Sequence, residues 1–225
     1  RIFFRAEGAG PTVVLVHGFP TASWDWAPLW PQLVERYRVL ALDMIGFGFS
    51  AKPRRFAYSI LAQADLFGAL LARERVSSYR IVAHDYGVSV AQELLARQKQ
   101  EPTAPRIVSV CLLNGGLFPE AHRPLVTQKL LASPLGPLVA RLGSYRAFAS
   151  AMRRIWGTHP VSEEELRAMW QLVTVNDGAA VMPKLIGYLR ERRATRAHRR
   201  HRGAGHGLRD GGDGRYSRRA DPVST

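Results

Sequence analysis

The sequence predicts an α/β fold in which a doubly wound, mostly parallel sheet is followed by a helical excursion. Three observations predict it. Four short runs, "TVVLVHG" (Thr12 to Gly18), "YRVLALD" (Tyr37 to Asp43), "YRIVAHD" (Tyr79 to Asp85) and "RIVSVCLLN" (Arg106 to Asn114), are almost continuously apolar and rich in β-branched residues. Strands buried on both faces of a parallel sheet read this way. Between them "SWDWAPLWPQLVER", "SILAQADLFGALLARE" and "VSVAQELLARQKQ" carry apolar residues three and four apart, the spacing of one helix face. Strand and helix in alternation imply right-handed βαβ crossovers.

Taken in order, "RIFFRAEG" is expected as an edge strand, closed by the turn-forming "GAGP". Ser23 and Ser59 stand where helix N-caps belong. From Leu117 to about Arg190 no further strand run appears, and Trp156, Met169, Trp170 and Leu172 lie on helix-like segments. "VSEEEL" is a helix start, with Ser162 as cap and Glu163 to Glu165 in the first turn. The expected organisation is a core part at 1–116, a helical cap at 117–190 and a tail at 191–225.

Length and composition bound the rest. The 225 residues suffice for one sizeable domain, and 46% are apolar. No run is long and apolar enough for a membrane span. The opening "RIFFRAEGAG" lacks both Met and a signal layout and reads as the front of a fragment. The single cysteine, Cys111, sits inside an apolar run, so a buried thiol and a reducing cytoplasm are expected.

The net charge of +14 is uneven. Eleven Arg against four Asp or Glu put half of it in residues 190–225. After Arg193 the aliphatic residues are Leu208 and Val223, too few to offset the entropy of ordering. Disorder is expected there. The break is abrupt and falls where a sheet should still gain strands, so a frame shift or truncation is the expected origin; a natural basic tail is the alternative. Arg at this density attracts phosphate, but no aromatic platform or fold motif supports specific nucleic-acid binding.

The chemistry concentrates at "AHDYG" (Ala83 to Gly87), which follows the third buried run and opens a helix. Small-x-nucleophile-x-small is the pattern of a nucleophile elbow, here with Asp85 in place of Ser. A nucleophile on such a turn has strained backbone, and small neighbours let strand and helix pass closely. The helix dipole then favours a carboxylate and any oxyanion formed beside it. An Asp that merely caps the next helix is the plainer alternative. "HGFP" (His17 to Pro20) follows the first buried strand, where a second amide donor is needed, and "DMIGFGFSAKP" adds a glycine-spaced loop. A dinucleotide site is rejected because the third glycine and the helix after it are missing. No cofactor is expected.

With "HGFPTASWDW", "ALDMIGFGFSAKP", "HDYGVSVAQELL", "LNGGLFPEAHRPL" and "NDG" in this order, the chain resembles the α/β-hydrolase superfamily. Within it, the likeness is to the Asp-nucleophile branch of epoxide hydrolases and haloalkane dehalogenases, over about Thr12 to Arg193. The resemblance implies an α/β-hydrolase fold whose C-terminal strands are lacking here. It also implies a two-step hydrolysis of a small apolar epoxide, halide or ester. Asp85 would form an alkyl-enzyme ester, with Phe19 and Tyr86 as oxyanion donors and His17, Gly18 and His84 in the site loops. Tyr188, and less clearly Tyr145, resemble the cap tyrosines that protonate an epoxide oxygen. Tyr86 stands where dehalogenases of this branch place a halide-binding Trp, which argues against dehalogenation. The family's catalytic His follows the last strand. None of His17, His84, His122, His159, His198, His201 and His206 fits that role, and Asp221 in "ADPVST" is at best a remnant of the acid. Impaired turnover is therefore expected. A catalytically inactive fold that binds a ligand or partner beneath its cap stays open as the alternative.

Overall fold

A computed structural model describes residues 1–101, 103–115, 126–158 and 160–192. The readings made on His122, His159, Asp221 and the tail histidines lie outside these residues, as do the disorder and frame shift expected after Arg193.

Five strands form one sheet: β1 (Phe4–Glu7), β2 (Thr12–Val16), β3 (Arg38–Leu42), β4 (Ser78–His84) and β5 (Arg106–Leu113). Their order is β1-β3-β2-β4-β5. Only β1 runs antiparallel, on the edge beside β3; β2, β3, β4 and β5 are parallel to their neighbours. Every residue of β2 is buried, and strand alternation divides its side chains between two layers. Val14 and Val16 join Leu40, Leu42 and Ile81 against helices α2 (Ile60–Arg73) and α3 (Tyr86–Gln100). Val13 and Leu15 meet Trp26, Trp30 and Ala41 on the other face. Each such side chain contributes roughly 1.5–3 kcal/mol through burial, so β2 fixes the frame on which the site is built.

Sequence signals set the helix starts, with one correction. Ser59 accepts from the Ala62 amide and starts α2, and the Glu191 carboxylate accepts from the Ile60 amide at 2.9 Å. The helix expected from Ser23 is instead a 3-10 turn over Ser23–Trp26 and a short α1 (Trp30–Val34). Pro28 and Pro31 lack the amides a continuous helix needs, and the Ser23 hydroxyl is turned to the Asp43 carboxylate instead of capping.

A second correction concerns β5. Its run was expected to be buried on both faces, yet its residues alternate between intermediate and exposed. Val108 is 44% exposed and Cys111 lies at the surface. Among the described residues β5 is the last strand of the sheet, so its apolar run is covered on one side only.

The cap comprises α4 (Val126–Leu131), α5 (Gly136–Arg141), α6 (Tyr145–Trp156), α7 (Glu163–Thr174) and α8 (Gly178–Leu185). A capping box joins Ser162 and Glu165 at the start of α7. Helices α6 and α7 pack a small core of their own from Ala149, Met152, Leu166 and Met169. By contrast, Val181, Leu185, Ile186 and Tyr188 at the chain's return from the cap belong to the main core. No helix among the described residues is long and apolar enough to cross a membrane.

Candidate active site

Asp85 occupies the junction of β4 and α3 with φ 48° and ψ −117°. A non-glycine residue held there costs on the order of 1–3 kcal/mol, and the packing around it shows why it persists. A Cβ on Gly87 would stand 2.5 Å from the Val16 carbonyl oxygen and 2.6 Å from that of His17. Only glycine lets α3 come this close to the end of β2. A Cβ on Gly18 would lie 2.7 Å from Asp85 Cβ and 2.8 Å from His84 Cε1, so the two loops interlock through missing side chains.

The carboxylate does not cap its own helix: Asp85 makes no side-chain capping hydrogen bond. Instead its Oδ1 accepts from the Phe19 amide at 2.9 Å. Tyr86 begins α3, where backbone amides have no partner within the helix. The carboxylate thus meets one fixed amide at the positive end of a 15-residue helix.

His17 and His84 flank this centre and differ sharply. His17 is fully buried and doubly bonded: Nδ1 lies 2.8 Å from the Gly18 carbonyl oxygen, and Nε2 accepts from the Met44 amide at 2.9 Å. The bonds require the Nδ1–H tautomer. Burial holds its pKa below the ordinary imidazole value despite the opposing pull of Asp43 and Asp25. His17 is a clamp between two loops, with both nitrogens committed. His84 ends β4, packs edge-on against Trp26 at 5.1 Å and sets Nε2 3.0 Å from Asp25 Oδ2.

The roof and floor enclose a cavity of about 950 Å³ lined by Asp85, Phe19, His84, Asp25, Met152 and Trp170, among others. Its wall is predominantly apolar, as small-molecule pockets commonly are. Neither of the tyrosines expected at the site is part of this wall. Tyr188 is 2% exposed and packs against Tyr86 with ring centroids 4.3 Å apart and planes tilted by 42°. Burial and then the Asp85 charge push its pKa up, so its phenol stays protonated in the core. Tyr145 donates to Glu163 Oε1 at 2.7 Å on an exposed face of α6 and α7.

Two organisers were missed in the sequence. Asp43 is buried and accepts from the Ser23 amide, the Ser23 hydroxyl and the Phe49 amide. The glycine-spaced loop exists to wrap it: at φ 47°, a Cβ on Gly48 would fall 2.2 Å from Asp43 Oδ2. Gln63, fully buried, pairs both its amide atoms with the backbone of Ile45. An Asp ahead of Gly-x-Gly was a readable signal for the first. A lone Gln on an apolar helix face gave none for the second.

Residues 11–133 match the family model described as the alpha/beta hydrolase fold. The chain belongs to the α/β-hydrolase family. It is 44% identical over 208 residues to mesoderm-specific transcript protein of Mus musculus, covering 87% of this chain and 62% of that protein. It thus spans less than two thirds of that relative's length. It is 30% identical over 119 residues to haloalkane dehalogenase 2 of Mycobacterium bovis, covering 53% of this chain and 40% of that one. A crystal structure of an alpha/beta hydrolase fold protein from Burkholderia ambifaria aligns with a TM-score of 0.72 and 27% identity over 89% of this chain and 72% of that one. Of the two groups the motifs resemble, haloalkane dehalogenases stand among the sequence relatives, while solved structures described as epoxide hydrolases share the fold at 19–21% identity.

Proposed function

We propose that this α/β-hydrolase family member is an Asp-nucleophile hydrolase of the epoxide hydrolase type, acting on a small apolar electrophile held under the cap. One observation carries the reading: the Asp85 side chain leaves its capping position free and faces the Phe19 amide at the floor of an apolar cavity. A carboxylate on a strained turn, fixed by one amide and open to a ligand, is placed for attack on carbon.

In the first step an Asp85 oxygen attacks an epoxide carbon, the ring C–O bond breaks, the freed oxygen takes a proton from solvent and a hydroxyalkyl-enzyme ester forms. Oδ1, already bonded to the Phe19 amide, becomes the ester carbonyl oxygen if the other oxygen attacks. When water later adds to that carbonyl, negative charge develops where Phe19, and Tyr86 at the helix start, offer amide hydrogens. Ester breakdown is the slow step in this reading. Of the two histidines among the described residues, His17 has both nitrogens engaged and only His84 lines the cavity.

The test is turnover of a panel of terminal epoxides, haloalkanes and short esters by the chain and by Asp85→Asn. Consumption of epoxides by the first and none by the second is expected. Equal rates for the two would defeat the assignment of Asp85.

A further inference from the structure

His84 is the residue this reading leaves unexplained. It lines the cavity beside the nucleophile, and among the described residues its one aromatic contact is edge-on to Trp26. Asp25, which also lines the cavity, is held by a 2.6 Å hydrogen bond from the Thr21 hydroxyl to Oδ2. The same Oδ2 stands 3.0 Å from His84 Nε2, but off the line of an N–H, and among the described residues this buried nitrogen has no hydrogen-bond partner. Cε1 and Nδ1 lie 2.8 and 2.9 Å from the point where a Gly18 Cβ would stand, and Asp85 Cβ lies 2.7 Å from that point.

We propose that Asp25 and His84 form a carboxylate–imidazole pair that takes the proton from the water cleaving the Asp85 ester. This rests on Asp85 being the nucleophile. A small rotation of the ring brings Nε2–H into line with Asp25, which fixes that tautomer and leaves a lone pair on Nδ1 on the side of Asp85. A carboxylate behind an imidazole also stabilises the imidazolium once it forms. Among the described residues, the charged or titratable groups around the ring are Asp25, Asp85 and His17, and burial holds the pKa of His17 down.

The step balances as follows. Water oxygen bonds to Cγ of the ester while its proton passes to Nδ1. The Cγ–O bond to the alkyl group breaks, and the departing alkoxide takes the proton from Nδ1 to become the alcohol. The carboxylic acid left at Asp85 releases its proton to solvent. Thr21 acts through Asp25 and Asp25 through His84, so both are positioning residues.

The experiment follows the lifetime of the ester. The chain and its His84→Gln, Asp25→Asn and Asp25→Glu variants are incubated with 1,2-epoxyhexane and excess epoxide is removed. Mass spectrometry then follows the modified Asp85 peptide over time. The ester on the parent chain is expected to decay, to last about 10²-fold longer in His84→Gln and Asp25→Asn, the usual worth of a placed acid–base group, and to recover most of its decay in Asp25→Glu. Equal lifetimes in all four, or an ester on the parent chain that never decays, would overturn the pair while leaving Asp85 as nucleophile. No ester on any chain would overturn the nucleophile and the pair with it. Should a variant fail to fold, the parent chain decides through its imidazole nitrogen resonances: His84 protonated on Nε2 supports the pair, and protonated on Nδ1 refutes it.

Discussion

The floor and the roof of the cavity are built by different physics. On the floor, position is set by hydrogen bonds and missing side chains: the Phe19 amide on Asp85, three donors on Asp43, Met44 and Gly18 on His17, and glycines where any Cβ would collide. On the roof, α6 and α7 meet the cavity through Met152, Trp156, Met169 and Trp170, of which Met152 and Met169 are held in a small apolar core. Polar bonds and steric exclusions tolerate little displacement, whereas an apolar wall repacks at modest cost. The floor is therefore suited to fixing chemistry, and the roof to choosing what reaches it.

Substitutions test that contrast, the most damaging first. Asp43→Ala removes the acceptor for three donors, two of them buried, and should cost about 3–5 kcal/mol, read as a collapse of the thermal midpoint with loss of site function. Gly87→Ala forces a Cβ onto two backbone oxygens that cannot yield. About 2–3 kcal/mol is expected, or a midpoint lowered by roughly 5–10 °C at this size. Met152→Ala, on the roof, should cost about 2 kcal/mol yet leave ester formation at Asp85 intact, shifting preference toward bulkier substrates. A Gly87→Ala protein as stable as the parent, or a Met152→Ala protein unable to form the ester, would erase the distinction.

The smallest effect is in pH. Folding holds His17 neutral below the ordinary imidazole range, while the unfolded chain protonates it near ~6.5. Above that value both states are neutral and this group contributes no slope. As pH falls below it, the unfolded state takes up a proton that the fold refuses, so stability declines until the folded pKa is reached. Nitrogen resonances of His17 should accordingly keep the neutral Nδ1–H form below pH ~6.5 in the folded chain. Protonation at the ordinary value would show the clamp to be looser than its two hydrogen bonds imply.

The same contrast explains what could be read in the sequence. Strands β2 and β3 were legible because burial on both faces writes a continuous apolar run, and β4, buried on one face and half-buried on the other, keeps enough of that run to be read. The strained turn at Asp85 was legible because such a turn demands small residues at fixed offsets. The β5 run misled because such a run signals apolar demand on two faces, whereas the described sheet covers one. Ser23 misled because its hydroxyl serves a distant carboxylate, a partner that local spacing does not encode. Tyr188 carried a plausible setting on a helical segment, but which way that segment faces is decided by packing against Tyr86 and Phe19. The Asp25–His84 pair joins residues 59 positions apart and emerges only when the loops close.

The most direct test of the account is the site of covalent labelling. After brief exposure to 1,2-epoxyhexane and acid quench, fragment-ion sequencing of the β4–α3 peptide should place the added alkyl group on Asp85 alone, and Asp85→Asn should carry none. Label on Asp25 or elsewhere with Asp85 unmodified, or hydrolysis of the epoxide that persists in Asp85→Asn, would contradict it.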